Sequence, residues 1–445
     1  MTGQAGRRYR PQSVRRTNWR PWAKGLGGVN PTGGVLVNRF IKLCTGFASC
    51  AMLVTTVVVS GVGGSGVASA SSSLAPIKVG EVCGCTGPLV SSITVGPPAY
   101  AAWADYTNAH GGIDGHKVQI IEVNDAGNPA TSVADVHKLV ETDHVVAIVD
   151  VSGVDAAWAA YVQQAGIPVV GGGSTGELDD TNPDWFAVGQ TLDDYFINFI
   201  DSARKVGVSN IAEFYCAEAA TCQQGVAPFE ATAKKVGEKV GYVTQVSFGA
   251  PSYAAQCLAA KQAGVGALIV ADAVSVVEQV ASDCLKQGYT PWQIALDGGV
   301  AQSFTTAPGL SNHFIGSEPD YPFFSNAIPA AKLMNTILKK YADAQTLQSP
   351  NYNEESVQLY LSGPLLSDAI KASGAGSHTN ITSADIKKGL YALHNDTLGG
   401  MAPPLNFKKG QPNPVDCWYF IRIQSGKFTT PYGVKPICAK PPKIS

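Results

Sequence analysis

Charge is scarce in this sequence, and its distribution matters more than its amount. Only 15% of the 445 residues are Asp, Glu, Lys or Arg, and none lies between Leu43 and Ile77. No acidic residue precedes Glu81, whereas residues 1–70 hold nine basic ones, so beyond residue 70 there are 23 basic against 34 acidic residues. A body that acidic repels phosphate backbones, which excludes nucleic acid as a partner. There is no Cys-x-x-Cys spacing and the seven His are scattered, which argues against a metal site. No P-loop Gly-Lys-Ser/Thr occurs, and the Gly171–Gly176 run is read as neither a dinucleotide loop nor a nucleophile elbow. What is abundant is apolar: 45% of the residues, enough for a large packed core.

The charge-free stretch reads as a secretory leader over residues 1–70. Arg39 and Lys42 precede the apolar run Ala51 to Val59, and Ala68 and Ala70 stand at the −3 and −1 positions of a cleavage site before Ser71. The alternative is an uncleaved membrane anchor. Either way the body is expected to be exported, to the periplasm, the cell envelope or the medium.

Export permits disulfides, and the body holds eight Cys. Cys257 and Cys284 lie on two helical stretches flanking the apolar run Ala267 to Ala271, where a right-handed crossover places them side by side. Cys216 and Cys222 bracket one loop, and Cys417 and Cys438 bracket a C-terminal hairpin. Cys83 and Cys85 have one residue between them, which strains a disulfide.

Along the body, short β-branched runs bounded by Gly, Pro, Asn or Asp alternate with helix-period stretches. Strands are expected at 77–82, 117–123, 145–151 and 167–170, and again at 210–216, 243–248, 267–271, 293–296 and 313–315. Between the two series Leu192, Tyr195, Phe196, Phe199, Ile200, Ala203 and Val206 form one apolar helix face. Helix 330–341, a polar break at 348–353 and a hairpin of 417–424 with 427–430 close the chain. Two βα arrays imply an α/β protein of two doubly wound parallel-sheet lobes. In such sheets ligands bind beyond the strand carboxyl ends, which here are rich in Gly, Ser and Asp. The aromatic spacing Tyr100, Trp103, Tyr106 reads as core packing, with about one of Trp103, Trp158, Trp185 and Trp292 expected to reach a ligand.

Ile77-Lys78-Val79-Gly80 with Thr86-Gly87-Pro88, Ala109 to Val118 (AHGGIDGHKV), Asn124 to Pro129, Ala165 to Val170 and Gly399 to Phe407 together resemble the type I periplasmic binding proteins, the branched-chain amino-acid receptor group of ABC-transporter substrate-binding proteins. The resemblance covers residues 76–430. It implies two lobes joined by a three-strand hinge near Gly189, Gly316 to Asp320 and Gly410, closing on a trapped solute. The expected division is a 71–76 linker, lobe 1 from 76–190 plus 319–409, and lobe 2 from 191–318 plus 410–445. It further implies contacts at Ser92, Val154, Gly173 and Ser174 on the first lobe and at Tyr215, Asp272 and Asp297 on the second, with Tyr321 at the hinge. Asp297 is the expected ammonium partner. Asp155 stands where a Ser-rich turn is expected and would repel a carboxylate unless turned away. The function implied is an extracytoplasmic receptor, monomeric and without a cofactor, that passes a small polar solute, an amino acid or a related amide or organic acid, to a membrane permease of an ABC importer. An exported sensor or scavenging binder uses the same cleft, and an exported hydrolase is the remaining alternative.

Overall fold

The computed structural model describes residues 74–438, apart from 88–89, 174–176, 219 and 296–298. The leader and its cleavage site therefore lie outside the described residues.

β-branched side chains suit a pleated surface, and the first four such runs become strands β1 (Ile77–Cys83), β2 (Val118–Asn124), β3 (Ala147–Val151) and β4 (Val169–Gly172), with the short β5 (Trp185–Phe186) at the edge. All pair in parallel in the order β2-β1-β3-β4-β5. β3 and β4 are buried throughout, as expected of parallel strands with helices on both faces. The return from helix Gly96–Ala109 into β2 is a tight turn in which Gly111, Gly112 and Gly115 take φ of 104°, 81° and 96°. A Cβ on Gly112 would strike the carbonyl of His116, so this turn requires glycine there. Asn128 caps helix Pro129–Glu141, its Oδ1 accepting from Ala130 N–H (3.0 Å) and Thr131 N–H (3.1 Å).

The second sheet comprises β6 (Asn210–Cys216), β7 (Lys239–Val246), β8 (Ala267–Ala271) and β9 (Trp292–Ala295) in the parallel order β7-β6-β8-β9. A parallel bridge from Gln293 to Phe314 continues it toward β10 (Ile315–Glu318). A small hairpin, β11 (His394–Asp396) with β12 (Leu405–Asn406), precedes β13 (Cys417–Gln424), which pairs antiparallel with β10, with β14 (Lys427–Thr429) and with β15 (Ile437–Cys438).

Besides the short strands β5, β11, β12 and β15, three elements differ from the sequence expectation. β7 begins at Lys239, four residues early, because Val240 and Tyr242 pair with Ile211 and Ala212. It is an edge strand half-exposed along most of its length, so no apolar alternation marks its start. β10 runs on to Glu318 through the polar Gly-Ser-Glu, held by register with Tyr419 to Arg422. Helix Glu355–Ser373 is new. It is buried on nearly every side, between helix Gly96–Ala109, helix Ser383–Leu390 and β4, and therefore has no polar face to give it a 3.6-residue period.

Four cysteine pairs come together: Cys83 with Cys85, Cys216 with Cys222, Cys257 with Cys284, and Cys417 with Cys438. Cys257 and Cys284 sit on helices Ala254–Gln262 and Val274–Lys286, with Cα atoms 5.0 Å apart. Non-reducing peptide mapping is expected to recover these four pairs. Loss of Cys257–Cys284 alone should cost about 2 to 4 kcal/mol in denaturant titrations, through the freed loop in the unfolded chain. Cross-paired or free thiols would contradict the pairing.

Candidate functional site

Strand order locates the site. In each sheet the crossover direction reverses once, between β1 and β3 in the first and between β6 and β8 in the second. At such a switch point the loops leaving the strand carboxyl ends diverge and open a crevice. The two crevices belong to edges that meet. Helix Val90–Ile93, which follows β1, packs against helix Val274–Lys286, which follows β8. The loop after β9 donates from Gln302 N–H to Tyr352 O (2.8 Å) and from Ser303 N–H to Pro350 O (2.8 Å). That segment leads to Asn353, whose Nδ2 donates to Ser92 O (2.7 Å).

On the first lobe, Ser92 is buried with its hydroxyl unpartnered. Val154 is half-buried in the loop after β3. Gly173 N–H donates to Asp150 O (2.9 Å), and a Cβ on Gly173 would lie 3.3 Å from Glu355 Oε1. A carboxylate thus stands where a solute carboxylate was expected. Around it the carboxyl-end loops converge. Asp125, after β2, accepts from Ser152 Oγ (2.5 Å) and from Gly127 N–H (2.8 Å). Burial, and then the charges of Asp155, Asp125 and Asp179, hold the Asp150 carboxyl well above the usual carboxylate range, and its Oδ1 has no partner. Asp155 is pushed up to about 6 by burial, against hydrogen bonds from Ala156 N–H and the Trp185 side chain. Its carboxylate is thus turned partly inward, not simply out toward a solute.

On the second lobe, Tyr215 is half-buried at the end of β6. Asp272 follows β8; its Oδ1 accepts from Ala273 N–H (2.7 Å) and its Oδ2 is unpartnered. Burial raises Asp272 to about 7, opposed by the Ala273 bond and reinforced by Glu218. Glu218 links two loops, accepting from Ser247 Oγ (3.0 Å) and Phe248 N–H (2.6 Å). Tyr253, pushed up to about 12 by burial and then by Asp272, Glu218 and Asp283, donates to Ser247 O (2.7 Å). Ser174 and Asp297 lie outside the described residues. Tyr321 is buried, its hydroxyl 2.9 Å from Ser325 Oγ and accepting from Ala327 N–H (3.1 Å), its own N–H donating to Met401 O (2.9 Å). Gly189 faces Pro319 O, 2.7 Å from where a Cβ would sit, so these two segments run in contact.

Sequence reasoning named Asp272 but missed Asp150, Glu218 and Glu355. A signal was present: there is no Lys or Arg between Lys78 and Lys117, Lys138 and Arg204, Lys205 and Lys234, Lys239 and Lys261, Lys261 and Lys286, or Lys286 and Lys332. Those segments supply the loops of both edges. The Gly171–Gly176 run also needs correction. It does spell Gly-x-Gly-x-x-Gly and, from Gly172, Gly-x-Ser-x-Gly. It follows the fourth strand and opens a helix of only five residues, Glu177–Thr181, with Glu177, Asp179 and Asp180 in its first turn, which opposes phosphate. Trp103, Trp158 and Trp185 are core residues, Trp158 stacked on Trp185 and donating to Ser132 Oγ (2.9 Å). Trp292 lies under the Arg422 guanidinium, 4.5 Å from its ring centroid.

Comparison with known proteins agrees with this geometry. A family model described as periplasmic binding protein matches residues 76–427. A comparison with curated protein sequences returns no match. Among solved structures, a branched-chain amino acid ABC transporter protein from Thermus thermophilus with bound valine superposes with a TM-score of 0.72 at 16% identity, over 82% of this chain and 98% of that one. A fatty acid ABC transporter substrate-binding protein from Thermomonospora curvata gives 0.68 at 15% identity, over 82% and 93%. A branched-chain amino acid transporter substrate-binding protein from Streptococcus pneumoniae in complex with isoleucine gives 0.65 at 18% identity, over 82% and 100%.

Proposed function

Because the chain belongs to the periplasmic binding protein family, we propose that it is an extracytoplasmic receptor that closes two lobes on a small polar solute and presents it to the permease of an ABC importer. The observation that carries this reading is the meeting of two switch-point edges, each with buried polar atoms that have no partner: Ser92 Oγ and Asp150 Oδ1 on one side, Asp272 Oδ2 on the other. A buried polar group without a partner is costly, and a solute that supplies the missing hydrogen bonds recovers that cost. The lobes proposed are 76–190 with 319–409 and 191–318 with 410–445, and closure is proposed to pivot at the crossings near Gly189, Gly316 to Asp320 and Gly410. Ser174 and Asp297, which follow β4 and β9, are proposed to complete the contacts of each lobe.

A solute screen by thermal shift tests the reading, because a ligand of the folded form raises the melting temperature. The hit should also reduce the radius of gyration in small-angle scattering, as lobe closure requires. A solute that stabilises without contraction would mean a rigid binder. The Gly-x-Ser-x-Gly spacing of 172–176 makes a hydrolase the alternative to exclude, and a receptor leaves p-nitrophenyl acetate unturned.

A further inference from the structure

Both of these edges carry buried acids. Asp150, near the end of β3, has as like charges acting on it Asp125, Asp155 and Asp179, from the segments that follow β2, β3 and β4, and Glu218, after β6, acts in the same way on Asp272, after β8. None of the ion pairs among the described residues involves Asp125, Asp150, Asp155, Asp272 or Glu218. The long Lys- and Arg-free segments explain why. Independently of the charges, three buried side chains at the meeting edges each have an atom without a partner, Ser92 Oγ, Asp150 Oδ1 and Asp272 Oδ2: Ser92 is 6% exposed, and Asp150 and Asp272 are 7% exposed each.

From this arrangement we propose that the solute is a small organic cation without a carboxylate, an amine or amidinium, held between the Asp150 group of the first lobe and Asp272 with Glu218 on the second. The inference rests on the receptor reading above and narrows its substrate class. A carboxylate buried in a crevice is most favourable when a cation donates to it. An amino-acid solute would have to place its own carboxylate on the first lobe beside Gly173, whose N–H already donates to Asp150 O and where a Cβ would lie 3.3 Å from Glu355 Oε1. Like charges at that separation repel. A metal ion is a poorer fit, since among the described residues no group of three or more His, Cys, Asp or Glu is arranged to hold one.

The test is calorimetry and thermal shift on the exported protein with agmatine and putrescine as cationic probes, L-valine as zwitterion, hexanoate as anion, urea as neutral solute and calcium chloride as metal. A cationic probe should bind and raise the melting temperature, and Asp150→Asn and Asp272→Asn should each weaken it by about tenfold or more, the worth of a charged hydrogen bond. Because the two variants lie on different lobes and are isosteric, a folding failure in one leaves the other informative. Binding of valine, hexanoate, urea or calcium in place of the cations overturns the inference while leaving the receptor reading intact. Cation binding that neither variant weakens also overturns it. No response to any probe overturns the cation inference and leaves the receptor reading to the wider solute screen.

Discussion

Gly363→Val is expected to unfold much of the first lobe's support, at a cost of about 3 to 5 kcal/mol, the scale of losing a buried aromatic contact. Gly363 lies inside helix Glu355–Ser373, and a Cβ there would occupy the space of the Trp103 indole. Trp103 cannot yield easily. It is 4% exposed and lies parallel to Tyr100, with ring centroids 5.6 Å apart. The same helix presents Ser362, whose Oγ accepts from Gly172 N–H (2.9 Å), so displacing it disturbs the strand end that leads into Gly173. Urea titration measures the loss, and a decrease below about 1 kcal/mol would mean the helix and indole can separate without consequence.

Acidification is expected to stabilise the empty protein between pH 8 and pH 5, and Asp272→Asn is expected to reproduce part of that gain at pH 8. The folded-state carboxyl of Asp272 is raised to about 7 from an ordinary 3.8. Between those values the unfolded chain releases the proton and the folded protein retains it. Stability therefore falls as pH climbs from about 4 to about 7 and is flat beyond, as far as this residue is concerned. Asp155, raised to about 6, and Glu213, raised to about 8 by burial and then by Glu230, act with the same sign, as do Asp150 and Glu81. Asp283 opposes them only outside this window. Despite some burial it is held at about 2 by bonds from Tyr253 N–H, Lys286, Ser252 and Gln279, so its contribution is lost only below about pH 4. Asp272→Asn should add about 2 to 4 kcal/mol at pH 8 and little at pH 4. Denaturant midpoints at pH 5 and pH 8 decide it. A wild type more stable at pH 8 would mean these carboxyls ionise freely in the folded state.

The sequence by itself determined the alternation of strands and helices, the two parallel arrays and the glycine turn before β2, because each is local. β-branched runs favour extended backbone wherever they stand, and Gly112 has a positive φ that most residues resist. Tertiary structure alone decided helix Glu355–Ser373, which has no exposed face to give it a period, and the early start of β7, which only its pairing to β6 reveals. It also decided the site. Asp150 at the end of β3 and Asp125, Asp155 and Asp179 in the segments after β2, β3 and β4 become neighbours only when the order β2-β1-β3-β4 gathers those strand ends at one edge. Asp272 and Glu218 meet in the same way across β6 and β8. A carboxylate read in sequence is a surface charge until strand order surrounds it with others and removes its water, and that long-range event is what sets these acids apart from the rest.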